Sequence, residues 1–208
     1  MRIALINEIS ACAKNEALFL ALSGRGYEVI NLGMHDASEP ELNYCDTSFM
    51  TAMIIQLELA DLVVSGCGTG QGFCIAANCY PGVVCANLRG PLDAWLYKQI
   101  NCGNVISVPL NMGYGWAGDV DLKMVFDAYF SAPDSGGYPL HRREPQKQLR
   151  QLLQRVSDAT HREMLEIIDR IPQEIIEHTS KNAVFMDLIR SAKPCKLKDA
   201  YLALAQAE

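Results

Sequence analysis

The stretch SGCGTGQGFCIAAN, residues 65–78, sets one thiol, Cys67, among glycines at 66, 68, 70 and 72. Gly66, Gly68, Gly70 and Gly72 permit close backbone approach and positive φ. Their amides, followed by a helix N-terminus, make a place for negative charge. The same field favours a thiolate at Cys67. A thiolate beside preformed amide donors can take a proton next to a carbonyl while the amides hold the enolate oxygen, an arrangement suited to isomerising a sugar. The loop is neither a dinucleotide fingerprint nor a Walker loop, because no Gly-Lys-Ser/Thr follows. The plain alternative is that Cys67 is a small buried residue in a tight turn, and the loop alone fits both readings.

The elements that must position this loop alternate. Strands are expected over 2–6, 27–32, 62–65, 83–87 and 105–108, and helices over 14–23, 47–59, 72–79 and 91–100. That alternation predicts an α/β fold, a doubly wound, Rossmann-like parallel sheet in three layers. Ligands in such folds bind beyond the carboxyl ends of the strands, where the loop after Ser65 sits. From Ser131 the composition shifts to SAPDSGGYPLHRREPQ, a linker or an ordered crossing segment. Beyond it, 147–156, 161–171, 174–178, 183–190 and 198–206 read as amphipathic helices. The division expected is an α/β domain over 1–144 and a helical C-terminal extension over 145–208. The extension carries apolar stripes (Leu149, Leu152, Leu153, Val156; Met164, Leu165, Ile167, Ile168) that need burial, so it reads as an oligomerisation and lid element.

Half of the 208 residues are hydrophobic and the net charge is −6. The charge disfavours nonspecific nucleic-acid binding, and no apolar run is long enough to span a bilayer. The first residues, MRIALINEIS, carry no export signal, and eight cysteines without tidy spacing suit a reducing, cytoplasmic setting. Cys74 and Cys79 lack a second matching pair and the four histidines are scattered, so no metal site is expected, and the chemistry needs no cofactor. Trp95 and Tyr97 read as core or interface residues.

The chain resembles the type B ribose-5-phosphate isomerase and galactose-6-phosphate isomerase family. The residues that carry the likeness are the strand–helix–strand start MRIALINEIS…NEALFLALSGRGYEVINLG, YCD at 44–46, CGTGQGFCIAANCYPG from Cys67, NCGN at 101–104 and GGYPLHRRE from Gly136. It covers roughly residues 1–145. It implies that Cys67 is the base moving a proton between C1 and C2 through a cis-enediolate and that Thr69 assists. It further implies an anion hole from the amides around Gly68, Gly70 and Gly72, and a contact from Asn101 to substrate hydroxyls. The family works as dimers, often paired into tetramers, with sites at subunit boundaries, so Arg142 and Arg143 are expected to serve a neighbouring subunit.

Several positions depart from the family pattern. Glu8-Ile9 stands where the family has Asp-His, Arg89 where a ring-opening histidine is expected, and Asn111 where an arginine reads the substrate. His141 sits one residue out of register with the family's nearby histidine. Loss of the ring-opening group fits a substrate with an open-chain carbonyl. Loss of the other two fits an anion other than a phosphate in the usual place. Glu8, Arg89, Asn101, Asn111, His141, Arg142 and Arg143 are therefore the expected substrate contacts, and a 4-deoxy-5-keto-uronate satisfies both conditions. The alternatives are an ordinary sugar-phosphate isomerase and a non-catalytic sugar-binding protein, and a homodimer or homotetramer is the expected assembly.

Overall fold

The computed structural model describes residues 1–206. The apolar runs form β1 (Arg2–Leu5), β2 (Glu28–Asn31), β3 (Leu62–Cys67), β4 (Cys85–Asn87) and β5 (Val105–Pro109). They make one parallel sheet in the order β2-β1-β3-β5-β4. The central strand, LVVSGC, is buried at every position, and its run lacks alternation because helices cover both faces. The chain leaves β1 toward one side and returns to lay β3 on the other. The connections that follow β1 and β3 therefore diverge, and a crevice opens beyond their carboxyl ends.

Two helical layers sandwich the sheet. On one face, α1 (Asn15–Leu22), α4 (Pro91–Leu96) and α5 (Gly118–Ser131) bring Leu18, Leu22, Ala94, Leu122 and Phe126 into a core with Ile3, Val64 and Ile106. On the other, α2 (Tyr44–Gln56) and α3 (Gln71–Ala77) bring Phe49, Met53 and Phe73 against Ala4, Val63 and Val105. Helix α5 goes unread in the sequence analysis, although Leu122, Val125, Phe126 and Tyr129 are buried at helical spacing. Helix α2 starts three residues earlier than expected. Asn43 accepts from the amides of Cys45 and Asp46 while the Asp46 carboxylate accepts from the Asn43 amide at 2.8 Å, a reciprocal cap that fixes the start at Tyr44. Tyr97 behaves as a core residue, its hydroxyl donating to the carbonyls of Val84 and Val105 at 2.6 and 2.8 Å.

The sequence after Ser131 is an ordered crossing. The Gly137 amide donates to the Gln99 carbonyl at 3.3 Å, and the Tyr138 ring packs edge-on against Trp95 at 5.2 Å. Then follow α6 (Arg143–Thr160), α7 (Met164–Ile168), α8 (Gln173–Ser180), α9 (Ala183–Ser191) and α10 (Lys196–Gln206). Helices α7–α10 cover the outer side of α2. Met164, Ile168, Ile176, Phe185 and Tyr201 join the core that holds Phe49 and Met53, with the Tyr201 ring 5.8 Å from both Phe49 and Phe185. This explains why α2 is apolar nearly all round: it is buried on both sides. Residues of α7–α10 and of α2 thus share one core. A polar contact adds to the join: the His178 ring lies 3.3 Å from the Asp46 carboxylate, whose pKa burial raises against the pull of the Asn43 amide and His178.

Helix α6 is different. It buries no residue, and Leu149, Leu152, Leu153 and Val156 remain 46–56% exposed. The expected apolar stripes therefore split: Met164 and Ile168 go into the core, and the α6 stripe stays open. Because Phe185 is fully buried in the core that the tail shares with α2, Phe185→Ala should cost about 3–5 kcal/mol, read as a lower urea midpoint, and truncation after Glu144 should aggregate. A Phe185→Ala loss below about 1 kcal/mol would mean that the tail packs without supporting the core.

Candidate active site

The residues at the crevice are held by backbone before any side chain acts. At the end of β3 the Gly66 amide donates to Asn7 Oδ1 at 2.8 Å, and a Cβ on Gly66 would lie 2.4 Å from that oxygen. The next carbonyls are clamped from β5: Leu110 donates to Cys67 at 2.8 Å and Asn111 to Gly68 at 2.9 Å. Cys67 itself is 5% exposed. Gly70, at φ +73°, turns the chain into α3, and its carbonyl accepts from the buried Ser107 hydroxyl at 2.6 Å. A Cβ there would stand 2.2 Å from Asn87 Oδ1. The Asn87 amide group also donates to the Thr69 carbonyl at 3.2 Å, and Thr69 Oγ1 accepts from the Gln71 amide at 3.2 Å.

The diverging loop after β1 supplies the acidic wall. Glu8 is 4% exposed; its carboxylate accepts from the Ser10 amide at 2.9 Å, from the Ser10 hydroxyl, and from the Gly68 amide at 3.3 Å. Ser10 Oγ accepts from that Gly68 amide at 2.8 Å. The Gly68 amide is thus already taken by the chain's own oxygens. The Gln71 amide is taken in the same way by Thr69 Oγ1. Asn111 braces the same corner, donating to the Ser10 carbonyl at 2.7 Å and accepting from Lys14. The Lys14 ammonium lies 5.2 Å from the centre of the Tyr114 ring, so a cation borders the Cys67 loop where the sequence reading placed none. Tyr44, at the start of α2, covers Gly72, whose Cβ would lie 3.2 Å from the ring.

The structure gathers only part of the expected set. Glu8, Cys67, Gly68, Thr69, Gly70, Gly72 and Asn111 share one corner. Arg89 is exposed at the carboxyl end of β4, its amide held by Asp93 at 3.1 Å, and lines a small cleft with Met112 and Tyr114 on the α5 side of the sheet. Asn101, His141, Arg142 and Arg143 are not in this corner of the chain. Asn101 precedes β5, so it lies at the entry edge of a parallel sheet, whereas Cys67 lies at the exit edge. Helix α5 carries the chain back to that entry edge. There Gly137 holds to Gln99, and a Cβ on Gly137 would press on the Arg143 backbone at 2.6 Å. All four of these side chains are exposed. Ser10, Lys14 and Tyr44 are the neighbours that the sequence reading missed as site residues; Ser10 and Tyr44 lie in quoted motifs and Lys14 falls between them.

The tight turn yields its own test. Gly70→Ala meets both a positive φ and Asn87, whereas Gly113, at φ +78°, faces open space. The expected loss of stability is larger for Gly70→Ala, by about 1–3 kcal/mol against Gly113→Ala, measured by thermal unfolding. Equal losses would show that Asn87 yields freely.

The ribose/galactose isomerase family model matches residues 3–147. The chain resembles, over 100% of both chains, a crystal structure described as 4-deoxy-L-threo-5-hexosulose-uronate ketol-isomerase complexed with a tartrate, at a TM-score of 0.92 and 32% identity. It resembles ribose-5-phosphate isomerase from Vibrio parahaemolyticus over 98% of this chain and 97% of that one, at a TM-score of 0.91 and 33% identity. Among curated proteins, 4-deoxy-4-sulfo-D-erythrose isomerase of Clostridium sp. (strain MSTE9) is 29% identical over 116 residues, 56% of this chain and 69% of its own. With the family's span covering the whole sheet and a thiol clamped at the turn where its signature falls, the chain belongs to the ribose/galactose isomerase family and is a sugar isomerase of the aldose–ketose type.

Proposed function

We propose that this isomerase acts on an open-chain keto sugar acid of the 4-deoxy-5-keto-uronate kind, with Cys67 as the base. The observation that carries the reading is the full-length likeness to the uronate ketol-isomerase, which extends through α6–α10, beyond the residues the family model matches. Two local features agree with it. The Glu8 carboxylate already occupies the Gly68 amide, which opposes a phosphate dianion at that spot. Lys14 lies over the Tyr114 ring and Arg89 lines a cleft with Tyr114, and cations there can take a carboxylate.

In this mechanism the Cys67 thiolate removes the proton from C2 of the aldose and returns it to C1, while the hydroxyl proton on O2 passes to O1. The enediolate between the two steps is held by the amides of Thr69, Gly70 and Gly72 in the turn, and the Thr69 hydroxyl assists the proton passing between oxygens. Asn101, His141, Arg142 and Arg143 reach the substrate from a second copy, with the open apolar face of α6 as part of the contact. A homodimer, alone or paired into a tetramer, follows from that sharing. The eight free thiols suit a reducing, cytoplasmic setting. Ribose 5-phosphate is the second reading, favoured by the Vibrio parahaemolyticus structure of equal extent.

Cys67→Ala should lower kcat by about two to four orders of magnitude with an unchanged unfolding curve, as loss of a general base does. Near-normal turnover would remove Cys67 from the mechanism. On the substrate itself, kcat/KM should favour a 4-deoxy-5-keto-uronate over ribose, allose and galactose phosphates, and Lys14→Ala or Arg89→Ala should raise KM for the acid. A clear preference for a phosphate ester selects the second reading. Leu153→Glu, on the open face of α6, should shift the assembly toward monomer by light scattering and lower turnover with it. A monomeric variant of full activity would mean that one chain holds the whole site.

A further inference from the structure

We propose that Arg150 is a positioning residue for the isomerisation, anchoring the turn that presents Asn101 to the substrate of a second copy. The role toward substrate rests on the proposed use of Asn101 by a second copy, whereas the anchoring stands on contacts within one chain. Of the two asparagines in NCGN, Asn104 is spent inside the fold. Its Oδ1 accepts from the Val84 amide at 2.9 Å and its Nδ2 donates to the Gly82 carbonyl at 2.8 Å. Gly103 is pressed against the same wall, where a Cβ would stand 2.5 Å from the Val84 carbonyl oxygen. Asn101 is exposed, and its side chain has no hydrogen-bond partner among the described residues. It is free for a ligand.

Asn101 ends a wide helical turn, Tyr97–Asn101, closed by the Cys102 amide donating to the Tyr97 carbonyl at 2.9 Å. Cys102 then leaves in the left-handed region at φ +52°. The last carbonyls of such a turn have no helical partners. Here each is taken by a different group. The Cys102 thiol donates to the Lys98 carbonyl at 3.3 Å, and the Gly137 amide to the Gln99 carbonyl at 3.3 Å. Arg150 Nη1 donates to the Ile100 carbonyl at 2.7 Å. This last bond is the shortest of the three and has a charged donor, at a helix end where the peptide dipoles favour a cation. The Ile100 carbonyl shares one rigid peptide plane with the Asn101 amide. Holding that oxygen therefore sets how the Asn101 backbone is turned.

Arg150 comes from α6, the helix that begins at Arg143. That helix buries no residue of its own, and it packs against the turn over Tyr97–Asn101. Among the described residues, Arg150 makes the only side-chain hydrogen bond from α6 to the chain before Ser131. Arg150 and Asn101 line one cavity of about 510 Å³, together with Leu153 and Val156 of the open apolar stripe. One contact thus ties the Asn101 turn to the helix that carries Arg143 and the face proposed to meet a second copy. A lysine at 150 would keep the charge but lose the planar fork and its fixed donor direction.

The anchoring can be read without substrate. In full-length Arg150→Ala protein, amide hydrogen exchange over residues 97–104, followed by mass spectrometry, should be at least about threefold faster than in the wild type. Arg150→Lys should fall between the two. Arg155→Ala removes the same charge from an exposed position on α6 and should leave that exchange as it is. Exchange unchanged in Arg150→Ala, or raised equally by Arg155→Ala, overturns the proposal. Kinetics then use the substrate that the wild type prefers, the keto sugar acid or ribose 5-phosphate, at concentrations where light scattering shows the wild-type assembly. Arg150→Ala should raise KM about three- to tenfold, the cost of one displaced hydrogen bond. Its kcat should stay within about twofold, as when binding alone is lost. Asn101→Ala should raise KM at least as much, and the double variant should be no worse than Asn101→Ala, because both changes remove one contact. Effects that multiply would show Arg150 acting apart from Asn101 and overturn the positioning role. A neutral Asn101→Ala beside faster exchange in Arg150→Ala would instead overturn the substrate contact on which that role rests, while the anchoring stands.

Discussion

The hydrogen bond from the Gly66 amide to Asn7 Oδ1 joins the exits of β1 and β3, and the site is built outward from it. Close approach of the two strand ends requires the missing side chain at 66, where a Cβ would also lie 2.5 Å from Leu110. The Ser65 hydroxyl adds a second tie, donating to the Ile6 carbonyl at 2.7 Å. With β1 holding one flank and β5 the other, Cys67 leaves the sheet in a set direction. Donors fixed in this way need no rearrangement as charge develops, which is where such sites gain most of their advantage over water. The Asn7 Nδ2 atom, buried and without a partner among the described residues, is a cost accepted at the same point.

A second dependence runs through α2. Its N-terminal cap sets Tyr44 over Gly72, its inner side packs on the sheet, and its outer side needs the tail. The extension thus supports the site without entering this corner of it. That arrangement is consistent with a likeness that persists over the whole chain in two solved structures, although the family model ends at residue 147. Helix α6 stands outside this logic, with its apolar stripe open where the tail's other stripes are closed.

Much of this was legible in the residues, and the gaps have physical causes. The β3–turn–α3 unit was readable because a buried parallel strand and a glycine turn leave strong local marks. Helix α5 has a regular apolar spacing but no side-chain cap to mark its start, and α2 begins at the Asn43–Asp46 cap, three residues before the expected start. Lys14 and Ser10 reach the loop through a fold-level contact, about 50 to 100 residues away in sequence. The four remote residues were grouped with Cys67 by resemblance, and sequence spacing carries no sign of which edge of a sheet a loop occupies. Strand direction does: Asn101 enters β5 and Cys67 leaves β3.

The central claim is that Cys67 carries the proton. Incubating enzyme and substrate in deuterated water and following deuterium at C1 of the ketose by proton NMR tests it most directly. The account predicts that the wild type washes deuterium into C1 during turnover and that Cys67→Ala, folded and at equal concentration, reduces the wash-in by about two orders of magnitude or more. Deuterium entering at the wild-type rate in the alanine variant would contradict it.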